Sequence, residues 1–205
     1  MTDRPILVLG ATGGQGGAVA EALLDRARPV RAMVRRPDAP SARGLADRGV
    51  DVVAGSLDDR AALGVAMRGV DAVFALTTPF ETGVDAEVAQ GHAILAAAVE
   101  AQVPHLVFSS VASANQHTGV PHFESKAIIE NELVSTGLPY TIVGPTYFFD
   151  NALGGGEQDP RGNTRSTAPT RPSPTAIGSP RPGRLRGEGI RRPERVCGTA
   201  RRAGQ

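Results

Sequence analysis

Short unbroken apolar runs alternate with amphipathic stretches along the first three quarters of the chain. The run from Pro5 to Leu9 carries Ile, Leu and Val without polar alternation, the pattern of a strand buried on both faces. From Gly17 to Leu24 the apolar positions Val19, Ala20, Leu23 and Leu24 recur at helical spacing. Further strands are predicted at 30–34, 50–54, 71–76, 105–108 and 140–143. Helices are predicted between them at 41–48, 58–67, 84–101 and 123–136, with Asp58 or Asp59 near the N-cap of the helix at 58–67. Regular strand–helix alternation predicts an α/β fold, a doubly wound parallel sheet with right-handed crossovers.

Between the first strand and the first helix lies a glycine-rich loop, Gly10-Ala11-Thr12-Gly13-Gly14-Gln15-Gly16. Glycines 10, 13 and 16 are spaced G-x-x-G-x-x-G. Small residues let the backbone approach a pyrophosphate, and the helix N-terminus directs free N–H groups at it. A bare glycine pattern is weak, but a strand before it and a helix after it supply the context that gives it meaning. The loop therefore predicts a dinucleotide-binding Rossmann domain. In such folds an acid about 20 positions further on binds the ribose 2′-hydroxyl of NAD, and arginine accommodates a 2′-phosphate. Here Arg35 and Arg36 close the second strand and no acid follows until Asp38. A guanidinium offers forked donors to phosphate, where a carboxylate would repel it. The expected cofactor is NADP(H).

Composition alters this picture mainly at the C-terminal end. The chain has 205 residues and a net charge of +1, enough length for one domain with a sizeable core. Residues 1–154 hold 11 basic against 17 acidic side chains, and residues 155–205 hold 11 against 4. In that last segment 16 of 51 residues are Gly or Pro, no aromatic occurs, and the arginines follow no period. Such composition does not bury enough apolar surface to offset its ordering entropy. The sequence thus divides into a nucleotide-binding domain at 1–154 and a disordered basic tail at 155–205. One reading of the tail is a basic arm for acidic surfaces or nucleic acid. The abrupt switch from patterned to patternless sequence favours another, a frame-shift product of a GC-rich gene. Nucleic-acid binding rests on the tail alone and is disfavoured. A single cysteine, Cys197, forbids an intrachain disulfide and points to a reducing, cytoplasmic setting. The first apolar run is too short for a signal-peptide core, and no stretch is long enough to span a bilayer, so no membrane partner is expected. Histidines 92, 105, 117 and 122 lack metal-ligand spacing, and no metal is expected.

Six blocks, in order, resemble the NmrA-like branch of atypical short-chain dehydrogenases/reductases. They are ILVLGATGGQGG at 6–17, VRAMVRRP at 30–37, VDVVAGSLDD at 50–59, DAVFALTTP at 71–79, LVFSSV at 106–111 and VPHFESKAIIENELVSTGLPYTIVGPTYFFDN at 120–151. The resemblance covers roughly residues 4–153. It implies NADP(H) held by the loop residues Gly10, Thr12, Gly13, Gln15 and Gly16, by Arg35, and by Thr77 and Pro79 after the fourth strand. It also places Lys126 at the nicotinamide ribose. Family members often carry Asp after the glycine that follows the third strand, near the adenine. Here Gly55 precedes Ser56, with Asp58 close by, so a weakened contact is expected. The family's usual C-terminal substrate part has no counterpart in the tail.

Ordinary short-chain dehydrogenases use a serine after the fifth strand and a Tyr-x-x-x-Lys pair on the next helix, where residues four apart share a face. The lysine lowers the tyrosine pKa and makes it a proton donor. This chain has Ser109 and Ser110 at the end of the fifth strand and Lys126 on the helix, but His122 at the tyrosine position. Lys126 is the only lysine beside 21 arginines, which points to a task that guanidinium does not serve. Lys126, Ser110 and His122 are the candidate catalytic residues, His122 as a proton donor, imidazole being suited to that role, or as a helix-start residue without chemistry. The expected activity is NADPH-dependent reduction of a small-molecule carbonyl or quinone substrate. The missing tyrosine leaves a non-catalytic NADP(H) sensor as the alternative, and the missing C-terminal part an inactive truncated member.

Overall fold

The computed structural model describes residues 4–116 and 118–146. Six strands form one parallel sheet: β1 (Ile6–Leu9), β2 (Val30–Val34), β3 (Asp51–Ala54), β4 (Ala72–Leu76), β5 (Leu106–Ser109) and β6 (Tyr140–Val143). Their order is β3-β2-β1-β4-β5-β6, the doubly wound arrangement in which ligands bind where the order reverses, outside the C-terminal ends of β1 and β4. The register pairs Val8 with Ala32 on one side and with Phe74 on the other.

Five helices connect the strands: α1 (Gly14–Leu24), α2 (Pro40–Asp47), α3 (Arg60–Met67), α4 (Val84–Glu100) and α5 (Pro121–Ser135). Successive side chains of a strand point to opposite faces, and the core divides accordingly. Leu7 and Leu9 pack with Leu63, Ile94, Leu95, Ile129 and Leu133 from α3, α4 and α5. Val8 packs with Ala20 and Ala42 from α1 and α2 on the other face. The predicted α/β class and all six strands match the structure. Helix α1 starts at Gly14, three residues before its predicted start, because packing on β1 overrides the poor helix propensity of glycine. Asp59 is the N-cap of α3, its carboxylate accepting from Ala62 N–H at 3.0 Å. A short 3₁₀ turn at Ala114–Gln116 follows β5. The predicted tail at 155–205, with Cys197, and also His117, lie outside the described residues.

Candidate active site

Every candidate site residue falls on elements that meet at the C-terminal edge of the sheet. The glycine loop turns there through Gly10, at φ +71°, a conformation L side chains rarely adopt. Its carbonyl accepts from Gly13 N–H at 3.0 Å. Gly16 is required for space: a Cβ there would lie 2.3 Å from Gly10 O. The N-terminus of α1 thus sits directly against the end of β1. Gly13 is its N-cap and offers no side-chain acceptor, although the first N–H groups of a helix lack intrahelical partners. Thr12 and Gly13 are exposed. Gln15 reaches across the edge instead, its Nε2 donating to Ser109 Oγ at 2.7 Å.

The opposite side of the edge is built around Lys126, 5% exposed on α5. Its Nζ donates to Thr77 O at 2.6 Å and to Thr77 Oγ1 at 2.9 Å, both at the end of β4. It also pairs with Glu87 Oε1 at 2.9 Å, from α4. Ser109 O stands further off at 3.5 Å, and the Phe108 ring lies 5.2 Å below the ammonium. Glu87 is fully buried. Its Oε1 accepts from Thr77 Oγ1 at 3.1 Å and its Oε2 from Ser125 Oγ at 2.5 Å. Burial pushes the Lys126 pKa below its ordinary 10.5, while the charge and hydrogen bond of Glu87 and the charge of Glu130 oppose that fall. The family pattern located Lys126 and Thr77 but not Glu87. The sequence did carry a signal for it: Glu87 falls at helical spacing with the other buried residues of α4, Gly91, Ile94, Leu95, Ala97 and Ala98.

The remaining candidates are more loosely arranged. Ser110 is buried, and its Oγ has no hydrogen-bond partner among the described residues; the bonded hydroxyl is that of Ser109. His122 lies in the first turn of α5, four residues before Lys126. Its ring packs edge-on against Phe123, with centroids 4.6 Å apart. Arg35 is exposed at the end of β2 and paired with Glu81 in the loop between β4 and α4. Pro79, in that same loop, accepts from Gly83 N–H at 2.8 Å. Asp58 is exposed and accepts from Ser56 Oγ at 3.1 Å. No group of His, Cys, Asp or Glu that could hold a metal ion occurs among the described residues.

The family model of NmrA-like proteins matches residues 2–179. The chain belongs to the NmrA-like family. A relative from Streptomyces griseus subsp. griseus, a (4-alkanoyl-5-oxo-2,5-dihydrofuran-3-yl)methyl phosphate reductase, is 43% identical over 150 residues, covering 72% of this NmrA-like chain and 49% of the relative. The NAD(P)H azoreductase of Xenophilus azovorans is 35% identical over 148 residues, covering 72% and 50% respectively. Among solved structures, Citrobacter sp. triphenylmethane reductase complexed with NADP(H) superposes with a TM-score of 0.66 at 28% identity. That match covers 73% of this chain and 52% of the reductase. The chain spans about half the length of the curated relatives it matches. No described helix is long and apolar enough to cross a membrane.

Proposed function

We propose that this NmrA-like chain binds NADP(H) along the C-terminal edge of β1, β2 and β4 and reduces a small-molecule acceptor, a carbonyl or quinone. The observation that carries this reading is the convergence, on one edge, of a close-approach glycine loop, an arginine at the end of β2 and a buried lysine beside β4. The residues present fit the cofactor. Gly16 has no room for a Cβ, so the backbone stays accessible to a pyrophosphate, and uncapped N–H groups of α1 suit its charge. Gly10, Thr12, Gly13, Gln15 and Gly16 would cradle the phosphates. Arg35 would take the 2′-phosphate, while Thr77, Pro79 and Lys126 would line the nicotinamide half. Asp58, held by Ser56, would stand on the adenine side. The cofactor supplies hydride chemistry when bound.

The chain's own residues then position and neutralise. Gln15 fixes Ser109 and with it the end of β5. Lys126 is an ammonium donor in a nearly water-free setting, where its charge acts more strongly than in solvent. His122, one helical turn away on the same helix, would donate a proton to an acceptor oxygen, and the unpartnered Ser110 hydroxyl would offer a hydrogen bond. The relatives named as reductases support this reading. The test is NADPH oxidation by the full chain against a panel of quinones, azo dyes and small carbonyls. Turnover on at least one acceptor is expected. Saturable NADPH binding without turnover on any of them favours the second reading, a non-catalytic NADP(H) sensor, for which the observation is His122 in place of the tyrosine.

A further inference from the structure

We propose that Glu87 is a positioning residue, whose buried carboxylate fixes Lys126 and keeps its ammonium charged for the nicotinamide ribose. This rests on the reading that the edge binds NADP(H). An ammonium has three donors, and three acceptors lie within 2.6–2.9 Å of Lys126 Nζ: Thr77 O, Thr77 Oγ1 and Glu87 Oε1. These three bonds use all the donors of the ammonium, so ribose hydroxyls would replace at least one of them. Glu87 is anchored independently of Lys126 by Thr77 Oγ1 and Ser125 Oγ. The carboxylate therefore stays in place while the ammonium exchanges partners.

Without that carboxylate the surroundings would favour a neutral amine. The β4 and β5 groups facing Nζ are the uncharged Thr77, Ser109 and the Phe108 ring. Glu87 on α4 and Glu130 on α5 are the charged groups acting on it, and among the described residues Glu87 is the one paired with it. A neutral amine would still donate, but more weakly than the ammonium. A helix-packing role for Glu87 would make no such demand on the charge of Lys126.

The chain has one lysine, so lysine labelled at Cε gives one NMR resonance in the full-length protein, and its titration reads this ammonium alone. In the native chain its midpoint should lie below 10.5. In Glu87→Gln the midpoint should fall further, by about one pH unit or more, and NADPH should bind about tenfold more weakly at pH 7. Glu87→Asp keeps the charge but shortens the reach; its midpoint should stay near the native one while NADPH affinity drops about threefold. Ile94→Val, in the core of the same helix, should move neither readout. An unchanged midpoint in Glu87→Gln, or native affinity in Glu87→Asp, overturns the role of Glu87. A native chain that does not bind NADPH overturns the underlying cofactor reading instead, whatever the lysine resonance shows.

Discussion

Arg35 and Glu81 form a two-contact ion pair, Nη1 to Oε2 at 2.9 Å and Nη2 to Oε1 at 3.4 Å. Arg35 follows β2 and Glu81 lies beyond β4, and β1 runs between those strands, so the pair straddles the strand that feeds the glycine loop. A carboxylate thus stands where a 2′-phosphate would be received. Both side chains are largely exposed, at 71% and 59%, and exposed pairs contribute little net energy. Glu81→Gln should therefore tighten NADPH binding only about two- to fivefold, more at low salt than at high, and leave NADH unchanged. Arg35→Ala should weaken NADPH by roughly ten- to a hundredfold, again sparing NADH. Fluorescence titration with both cofactors checks this; equal loss for NADH and NADPH would refute the 2′-phosphate assignment.

Two glycines of the loop should respond oppositely to the same substitution. At Gly16 an added Cβ meets backbone, Gly10 O at 2.3 Å and Gly10 C at 2.5 Å, and backbone does not swing aside as a side chain would. Gly16→Ala should cost about 1–3 kcal/mol and abolish measurable NADPH binding, because α1 must move off β1. At Gly14 nothing lies within 4 Å, and the residue opens α1. Gly14→Ala should stabilise the fold by about 0.5–1 kcal/mol. Thermal and urea unfolding of the two variants measure the contrast.

The division between what the sequence disclosed and what it hid follows from the range of the interactions. Strands such as Ile6–Leu9 and the loop after them are legible because local pattern and tertiary role coincide. Arg35 and Lys126 are legible from motif spacing. Glu87 is not legible locally, because an acid in an Ala-rich helix that also carries Asp85 and Glu100 reads as a solvated position; its place on the buried face with Gly91 and Ile94 is what sets it apart. Glu81 and the Gln15–Ser109 bond, 94 residues apart in sequence, depend on how the loops fold over the edge. No periodicity encodes that. The motif points to Ser110 by position alone, and nothing in the pattern distinguishes it from Ser109, whose hydroxyl makes the bond.

Removing Lys126 should destabilise the protein more than removing an ordinary surface lysine. Lys126→Met leaves Glu87, fully buried, without its counter-ion, and such a loss costs about 3–5 kcal/mol. The pH dependence has a defined sign. The folded-state pKa of Lys126 lies below 10.5, so between the two values the unfolded chain binds more protons, and native stability rises with pH there. Lys126→Met lacks that rise. The stability gap between native chain and variant should therefore widen as pH increases through the window just below 10.5, as urea unfolding at a series of pH values will show. A gap that narrows there would contradict the direction assigned to the lysine.

His122 provides the sharpest test of the chemistry, since its importance should depend on the acceptor. Reduction of a carbonyl develops charge on an oxygen that needs a proton in the transition state, and a positioned donor contributes about a hundredfold or more. A quinone delocalises the charge over its ring, so solvent can protonate the product afterwards. His122 packs on Phe123 and, at a greater ring distance, on Phe80, aromatic contacts a phenyl ring can keep, so His122→Phe should fold normally and bind NADPH with native affinity. On a carbonyl acceptor its kcat should fall about a hundredfold. On a quinone the change should stay within a few-fold. Equal, small effects on both acceptors would assign the proton to water and leave His122 as the residue that opens α5.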